Sequence, residues 1–161
     1  MLNQDFKEFI QSLNDNHVRY LVIGGYAVAL HGYPRYTKDI DLWIDMNPQN
    51  AENVVRALEQ FGFGSLGLQA ADFLVPDQII QLGYPPARID LITTPPGVDF
   101  ENCYGSRVEV EIEGITVNFR FGQSQEKQKG RRTIARLGRL GEPGINLQRF
   151  SGQILRIEED T

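Results

Sequence analysis

The sequence has few of the residues that cross-link a chain, bind soft metals or anchor it in a membrane. Its single cysteine, Cys103, excludes an internal disulfide and a cysteine-rich zinc site. The two histidines, His17 and His31, have no second His or Cys at a ligand spacing and are interpreted as surface or loop residues. No apolar run approaches the roughly 18–20 residues that span a bilayer. The N-terminus also lacks the pattern of a secretory signal, so a cytoplasmic protein without a membrane segment is expected.

The charge is acidic and unevenly distributed. A formal net charge of −5 over 161 residues argues against broad electrostatic binding of nucleic acid. From Met1 to Phe121 there are 8 basic and 16 acidic residues, whereas from Gly122 to Thr161 there are 8 and 5. The composition therefore divides the chain near Gly122 into an acidic domain, residues 1–121, and a basic, glycine-rich tail, residues 122–161.

Apolar periodicity and turn residues predict the elements of the first part. Phe6, Phe9, Ile10 and Leu13 have helical spacing, and Asn47-Pro48 predicts the start of a second helix. Further predicted elements are strands at 20–23, 39–45, 78–82 and 88–93, short helices at 26–30 and 99–104, and a hairpin of strands 108–112 and 115–119. The predicted fold class is α/β or α+β, a mixed β-sheet flanked by helices.

The first chemical signal is a pair of aspartates two residues apart, Asp39 and Asp41, on a predicted strand. Side chains at this spacing point to the same face, and two adjacent carboxylates repel each other unless a cation lies between them. Magnesium prefers such oxygen ligands together with substrate phosphates. A solvated acidic face, or the DxD motif of a metal-dependent glycosyltransferase, is the alternative reading of this pair alone. Asp45, about 13 Å further along the strand, is interpreted as the end of the strand and not as a ligand.

The second signal is Gly24-Gly25, between a buried strand and a predicted helix. Glycines let a phosphate approach the backbone, and a helix N-terminus presents free N–H groups to it. Arg35, Thr37 and Lys38 precede the acidic pair and are candidate triphosphate ligands; charge compensation in a loop and the start of a strand are their alternative roles.

A third carboxylate, Asp90, lies on the predicted strand that begins at Arg88. If this strand lies beside the strand of Asp39, all three carboxylates face the same two metal ions. Arg88 has the parity of Asp90, so it either pairs with a carboxylate or reaches substrate. Trp43 is interpreted as a packing residue on the side of the strand opposite Asp41.

The combination of Gly24, Gly25, Asp39, Asp41 and Asp90 resembles the DNA polymerase β nucleotidyltransferase superfamily. Its pattern is a hydrophobic residue, Gly-Gly or Gly-Ser, a gap, Asp-h-Asp-h (h, hydrophobic) and a later Asp on a strand. The stretch Arg35-Tyr-Thr-Lys-Asp-Ile-Asp41 is similar to the small AbiEii-like and minimal nucleotidyltransferases, which often belong to toxin–antitoxin pairs. The resemblance covers residues 20–121.

This resemblance implies a minimal nucleotidyltransferase fold and a magnesium-dependent enzyme. It implies transfer of a nucleoside monophosphate from an NTP such as ATP to a hydroxyl of RNA, protein or a small molecule, with release of pyrophosphate. Two magnesium ions, or manganese, are expected as cofactors. Asp39 and Asp41 would ligate them, and Asp90 would ligate the catalytic ion and help to deprotonate the acceptor. A HEPN-type or antitoxin partner is also implied. The competing hypothesis is a weakly active or inactive nucleotide- or partner-binding member of a toxin–antitoxin pair.

The tail departs from this resemblance. Four glycines and a proline between residues 130 and 144 disfavour the helices that the family has there. Synonymous codons exist whose shifted frame encodes a Lys-rich helix and then an Asp/Leu-rich helix, so a frameshifted C-terminus is the favoured hypothesis. A divergent basic extension that binds RNA is the alternative. In both cases residues 122–161 are predicted to pack poorly.

Overall fold

The computed structural model describes residues 4–24, 39–83, 88–94 and 97–120, together with the backbone of three strands in the tail. The helices are α1 (Gln4–Asp15), α2 (Pro48–Leu58) and α3 (Phe100–Gly105). A π-helical turn follows α2 at Glu59–Phe63, and 3₁₀ turns lie at Gly64–Leu66 and Ala70–Phe73. The strands of this part are β1 (Tyr20–Ile23), β2 (Asp39–Ile44), β3 (Gln78–Leu82), β4 (Arg88–Ile92), β5 (Val108–Ile112) and β6 (Ile115–Phe119).

The six strands form one mixed sheet in the order β5-β6-β1-β2-β4-β3. Strands β2 and β4 run parallel, as do β1 and β6, whereas β1–β2, β3–β4 and β5–β6 are antiparallel. This arrangement confirms the predicted mixed sheet with helices. In the described part of the chain, no helix is long and apolar enough to cross a membrane.

The main core lies between one face of this sheet and helices α1 and α2. The apolar positions that predicted α1 are all buried in this core. They meet the even-numbered side chains of the two central strands, represented by Val22, Ile40 and Leu42, which are fully buried. Helices α1 and α2 therefore cover this face of the sheet.

The opposite sheet face has a smaller apolar cluster of Leu21, Trp43 and Phe100. The rings of Trp43 and Phe100 pack edge to face with centroids 5.0 Å apart, and Trp43 Nε1 donates to Thr94 Oγ1 at 3.1 Å. Trp43 is buried, as predicted, but the prediction that it lies opposite Asp41 is wrong. The two residues are two positions apart on a strand, so they share a face.

Asn50 fastens helix α2 to the ends of β1 and β2. The predicted cap of this helix is confirmed, since Asn47 Oδ1 accepts a hydrogen bond from Asn50 N at 2.8 Å. The buried carboxamide of Asn50 accepts from Arg19 N at 2.8 Å and donates to the carbonyls of Arg19 (3.1 Å) and Asp45 (2.8 Å). These contacts hold the start of β1 and the end of β2 in place relative to the helix.

Replacement of Asn50 by alanine is therefore expected to lower the free energy of unfolding by about 3 kcal/mol, because it removes three hydrogen bonds to the partly buried backbone of Arg19 and Asp45. Urea unfolding of the purified variant measures this loss. Glu52→Ala, in the same helix at an exposed position, is the matched control and should change stability by less than about 0.5 kcal/mol. Equal stability of the two variants would contradict this role of Asn50.

The predicted hairpin of β5 and β6 is confirmed. Both turn residues, Glu113 and Gly114, have positive φ values, 50° and 86°, as a two-residue hairpin turn requires. The short helix predicted at 99–104 is α3, which begins after Asp99 and ends at Gly105.

The tail contains the backbone of three strands, β7 (Arg132–Leu137), β8 (Ile145–Phe150) and β9 (Gln153–Glu159). Strand β7 pairs in parallel with β3 as a seventh strand, and β8 and β9 pair with each other. Backbone pairing does not test how the side chains of the tail pack, so their poor packing stays a prediction.

Deletion of residues 123–161 tests that prediction. If the tail packs poorly, the truncated chain should differ from the full chain by less than about 1 kcal/mol in urea unfolding. A larger loss would mean that β7 stabilises the sheet through its pairing with β3, and would contradict the predicted division of the chain near residue 122.

Candidate active site

Asp41 and Asp90 lie side by side on the sheet face opposite the main core. They are register partners on the parallel strands β2 and β4, and in the same register Asp39 lies opposite Arg88. All four side chains therefore share one face, the face that carries Trp43 and not the helix-covered core. The sheet brings together two parts of the sequence that are about fifty residues apart, as predicted for Asp39, Asp41 and Asp90.

Arg88 joins two of the three carboxylates. Its Nε donates to Asp90 Oδ1 at 2.9 Å, and its Nη2 donates to Asp39 Oδ2 at 3.0 Å. The carboxylates of Asp39 and Asp90 are therefore both within hydrogen-bonding distance of the same guanidinium. Of the two roles predicted for Arg88, pairing with a carboxylate is therefore the one observed.

The three carboxylates differ in burial. Asp90 is fully buried and Asp41 is 6% exposed, whereas the side chain of Asp39 is 30% exposed. Ionised carboxylates at such depth are stable only with charged or hydrogen-bonding partners. Asp90 has such a partner in Arg88, whose side chain is itself only 15% exposed. The site thus has a buried end at Asp90 and a solvent-accessible end at Asp39.

Gly24 lies against the carboxylate of Asp41. A Cβ atom at position 24 would lie 2.3 Å from Asp41 Oδ2, and the φ angle of Gly24 is +72°, which disfavours other residues. The end of β1 therefore approaches the acidic group closely, and this approach needs glycine. The joint role predicted for the glycine pair and the acidic pair in binding phosphate and metal stays a prediction.

The remaining predicted phosphate ligands, Gly25, Arg35, Thr37 and Lys38, lie outside the described residues, as do His31 and the helix predicted at 26–30. Within the described residues, Asp45 is separate from the site, as expected. Its carboxylate pairs with Arg19 at 3.0 Å and accepts from Asn47 Nδ2 at 2.8 Å. Burial raises the pKa of the Asp45 carboxyl, and Arg19 and Asn47 offset part of that rise.

Gln81 is a site-facing residue that sequence reasoning missed. It is the register partner of Asp90 on β3 and is 9% exposed. Its neighbours Ile80 and Leu82 belong to the main core, so Gln81 points to the face of the acidic residues. The strand sequence QIIQL has no clear alternation, and only the pairing of β3 with β4 reveals this position.

The donor set fits a hard divalent cation in its chemistry, since it offers carboxylate oxygens on one face of two adjacent strands. In the present side-chain arrangement, however, no three His, Cys, Asp or Glu groups of the described residues converge to hold a metal ion. The guanidinium of Arg88 lies against Asp39 and Asp90 in that arrangement. A bound ion would thus require some rearrangement of these side chains.

Comparison with known proteins identifies a matching family. The model of a family described as aminoglycoside-2''-adenylyltransferase matches residues 5–118, which include every described residue of the acidic site. No curated protein matches the chain. A solved structure from Thermotoga maritima, of a protein provisionally described as a nucleotidyltransferase, is 19% identical, with a TM-score of 0.48 over 74% of this chain and 80% of its own.

Proposed function

The chain belongs to the aminoglycoside-2''-adenylyltransferase family, and on that premise we propose a magnesium-dependent transfer of a nucleoside monophosphate from an NTP to an acceptor hydroxyl. The enzyme class, nucleotidyltransferase, follows from the family. Three features are proposed: the dependence on metal, the identity of the catalytic residues and the identity of the acceptor. The observation that carries them is the register of Asp41 with Asp90 on parallel strands, beside a glycine that contacts Asp41.

Asp39, Asp41 and Asp90 would hold the magnesium ions. When bound, these ions neutralise charge on the triphosphate and on the leaving pyrophosphate. We expect a bond to form between the acceptor oxygen and the α-phosphorus. The bond from that phosphorus to the bridging oxygen of the β-phosphate breaks, and pyrophosphate leaves with the electron pair. The acceptor proton passes toward the carboxylate of Asp90.

The chain's own residues have separate tasks in this proposal. The glycines at the end of β1 let the triphosphate approach the backbone, and Arg35, Thr37 and Lys38 would add charge and hydrogen bonds to the phosphates. Asp90 is fully buried, and electrostatic interactions at the reacting centre are stronger where water is excluded. The exposure of Asp39 marks the side from which nucleotide and acceptor would enter.

The acceptor is proposed to be RNA, protein or a small molecule. An aminoglycoside is the small molecule that the family description names, so it is the first to assay. The similarity of Arg35–Asp41 to toxin–antitoxin members supports a HEPN-type or antitoxin partner as a further proposal. Co-expression with the neighbouring gene, followed by co-purification and growth measurements, tests this partner.

Transfer is tested with two labels. The full-length protein is incubated with magnesium, each NTP in turn and either an aminoglycoside or a cell extract. Label from the α-phosphate should appear on an acceptor, whereas label from the γ-phosphate should appear only in pyrophosphate. Transfer of γ-label would indicate a kinase. Binding of nucleotide without transfer of either label would favour the alternative, a nucleotide- or partner-binding protein.

A further inference from the structure

The guanidinium of Arg88 contacts the same carboxylates that are proposed to hold the metal. It donates to Asp90 Oδ1 at 2.9 Å, to Asp39 Oδ2 at 3.0 Å and more weakly to Asp90 Oδ2 at 3.5 Å. A donor that spans two carboxylates stabilises them in one geometry, because the guanidinium fork is planar and rigid. Arg88 therefore already provides what a divalent ion would provide, a cation bound to oxygens of both residues.

The position of Arg88 in the sheet keeps this cation in place. Arg88 and Asp90 are two residues apart on β4, and Arg88 is the register partner of Asp39 on β2. The backbone pairing that aligns the carboxylates thus aligns the guanidinium with them. Its side chain is 15% exposed, and Asp90 is fully buried, so solvent screens the contact with Asp90 less than it would at the surface.

We propose that Arg88 is an internal counter-ion that competes with the divalent metal ion. It neutralises Asp39 and Asp90 in the metal-free protein, and it must release at least one of them when a metal ion binds. The inference rests on the proposed metal dependence and goes beyond it. In this proposal Arg88 lowers the affinity of the protein for the metal ion. The ion then binds well only when the nucleoside triphosphate adds its own oxygen ligands.

Two properties should change in opposite directions when Arg88 is replaced by glutamine. The metal-free variant should unfold at a lower temperature in EDTA than the wild type, because a buried carboxylate loses its charged partner. Its affinity for Mn²⁺ alone should rise by about tenfold or more, because a cation within hydrogen-bonding distance of two ligands has been removed. Electron paramagnetic resonance of free Mn²⁺ measures the dissociation constant without relying on catalysis. Arg88→Lys, which keeps the charge, should bind Mn²⁺ with nearly wild-type affinity.

A measurement on the wild type covers the case in which the glutamine variant does not fold. The Nε–H signal of Arg88 in a ¹⁵N spectrum, assigned by its loss in Arg88→Lys, should shift or broaden as Mg²⁺ is added. Arg107 is an internal control, because its Nε donates at 3.1 Å to the exposed carboxylate of Glu109, and its signal should stay unchanged.

The outcomes separate this inference from the proposed function. Metal binding that is equal or weaker in Arg88→Gln, or an Arg88 signal that does not respond while the wild type binds Mn²⁺, would overturn the counter-ion alone. In the first case, Arg88 would be a positioning residue for the carboxylates. Absence of metal binding by both proteins, with nucleotide present or not, would overturn metal dependence and the counter-ion together.

Discussion

Replacement of Asp41 by asparagine is expected to reduce nucleotidyl transfer by about a thousandfold, since a lost metal ligand costs several kcal/mol of transition-state stabilisation. Asp41 lies between Gly24 and Asp90, at the centre of the proposed site. Asparagine has almost the same shape and keeps one oxygen, so the fold should persist. The rate of transfer of α-label to the acceptor, at saturating NTP and magnesium, measures the effect.

Glu111→Gln is the control for charge removal. Glu111 is an exposed residue on β5, the strand at the far edge of the sheet, and its neutralisation should leave transfer within about twofold of wild type because surface substitutions have small effects. Thermal unfolding of both variants shows whether each remains folded. Transfer by a folded Asp41→Asn protein at more than a tenth of the wild-type rate would exclude Asp41 as a metal ligand.

Gly24→Ala is expected to damage the site by geometry rather than by charge. The new methyl group would lie 2.3 Å from Asp41 Oδ2 and 3.2 Å from its Cγ, so the carboxylate has to move. A displacement of about 1 Å at a reacting centre costs on the order of a hundredfold in rate. The positive φ of Gly24, +72°, should also cost about 1–2 kcal/mol of stability.

Gly67→Ala separates these two costs. Gly67 has nearly the same φ, +68°, but a Cβ atom there would meet nothing within 4 Å. Both variants should therefore lose similar stability in urea unfolding, whereas only Gly24→Ala should lose transfer activity. If both variants kept wild-type kcat/KM, the contact between Gly24 and Asp41 would have no role in the reaction.

Local patterns were sufficient to predict most elements of the first 121 residues. Helical spacing identified α1, the Asn47-Pro48 cap identified the start of α2, and alternation identified the hairpin of β5 and β6. These features depend on a few neighbouring residues: a side-chain cap, a fixed proline φ, or a period of 3.6 or 2.0. The prediction that Asp39 and Asp41 lie on one face of a strand used the period of 2.0. By the same period Trp43 lies on the face of Asp41, and the prediction that placed it on the opposite face did not follow this rule.

The sequence by itself determined which residues could take part, namely three aspartates and a glycine pair with a spacing typical of nucleotidyltransferases. Only the tertiary structure decided how they meet. The parallel pairing of β2 with β4 places Asp41 opposite Asp90 and Asp39 opposite Arg88, and β3 adds Gln81. The physical reason is that strand neighbours and register depend on the packing of a whole sheet face against α1 and α2, which no short stretch of sequence contains.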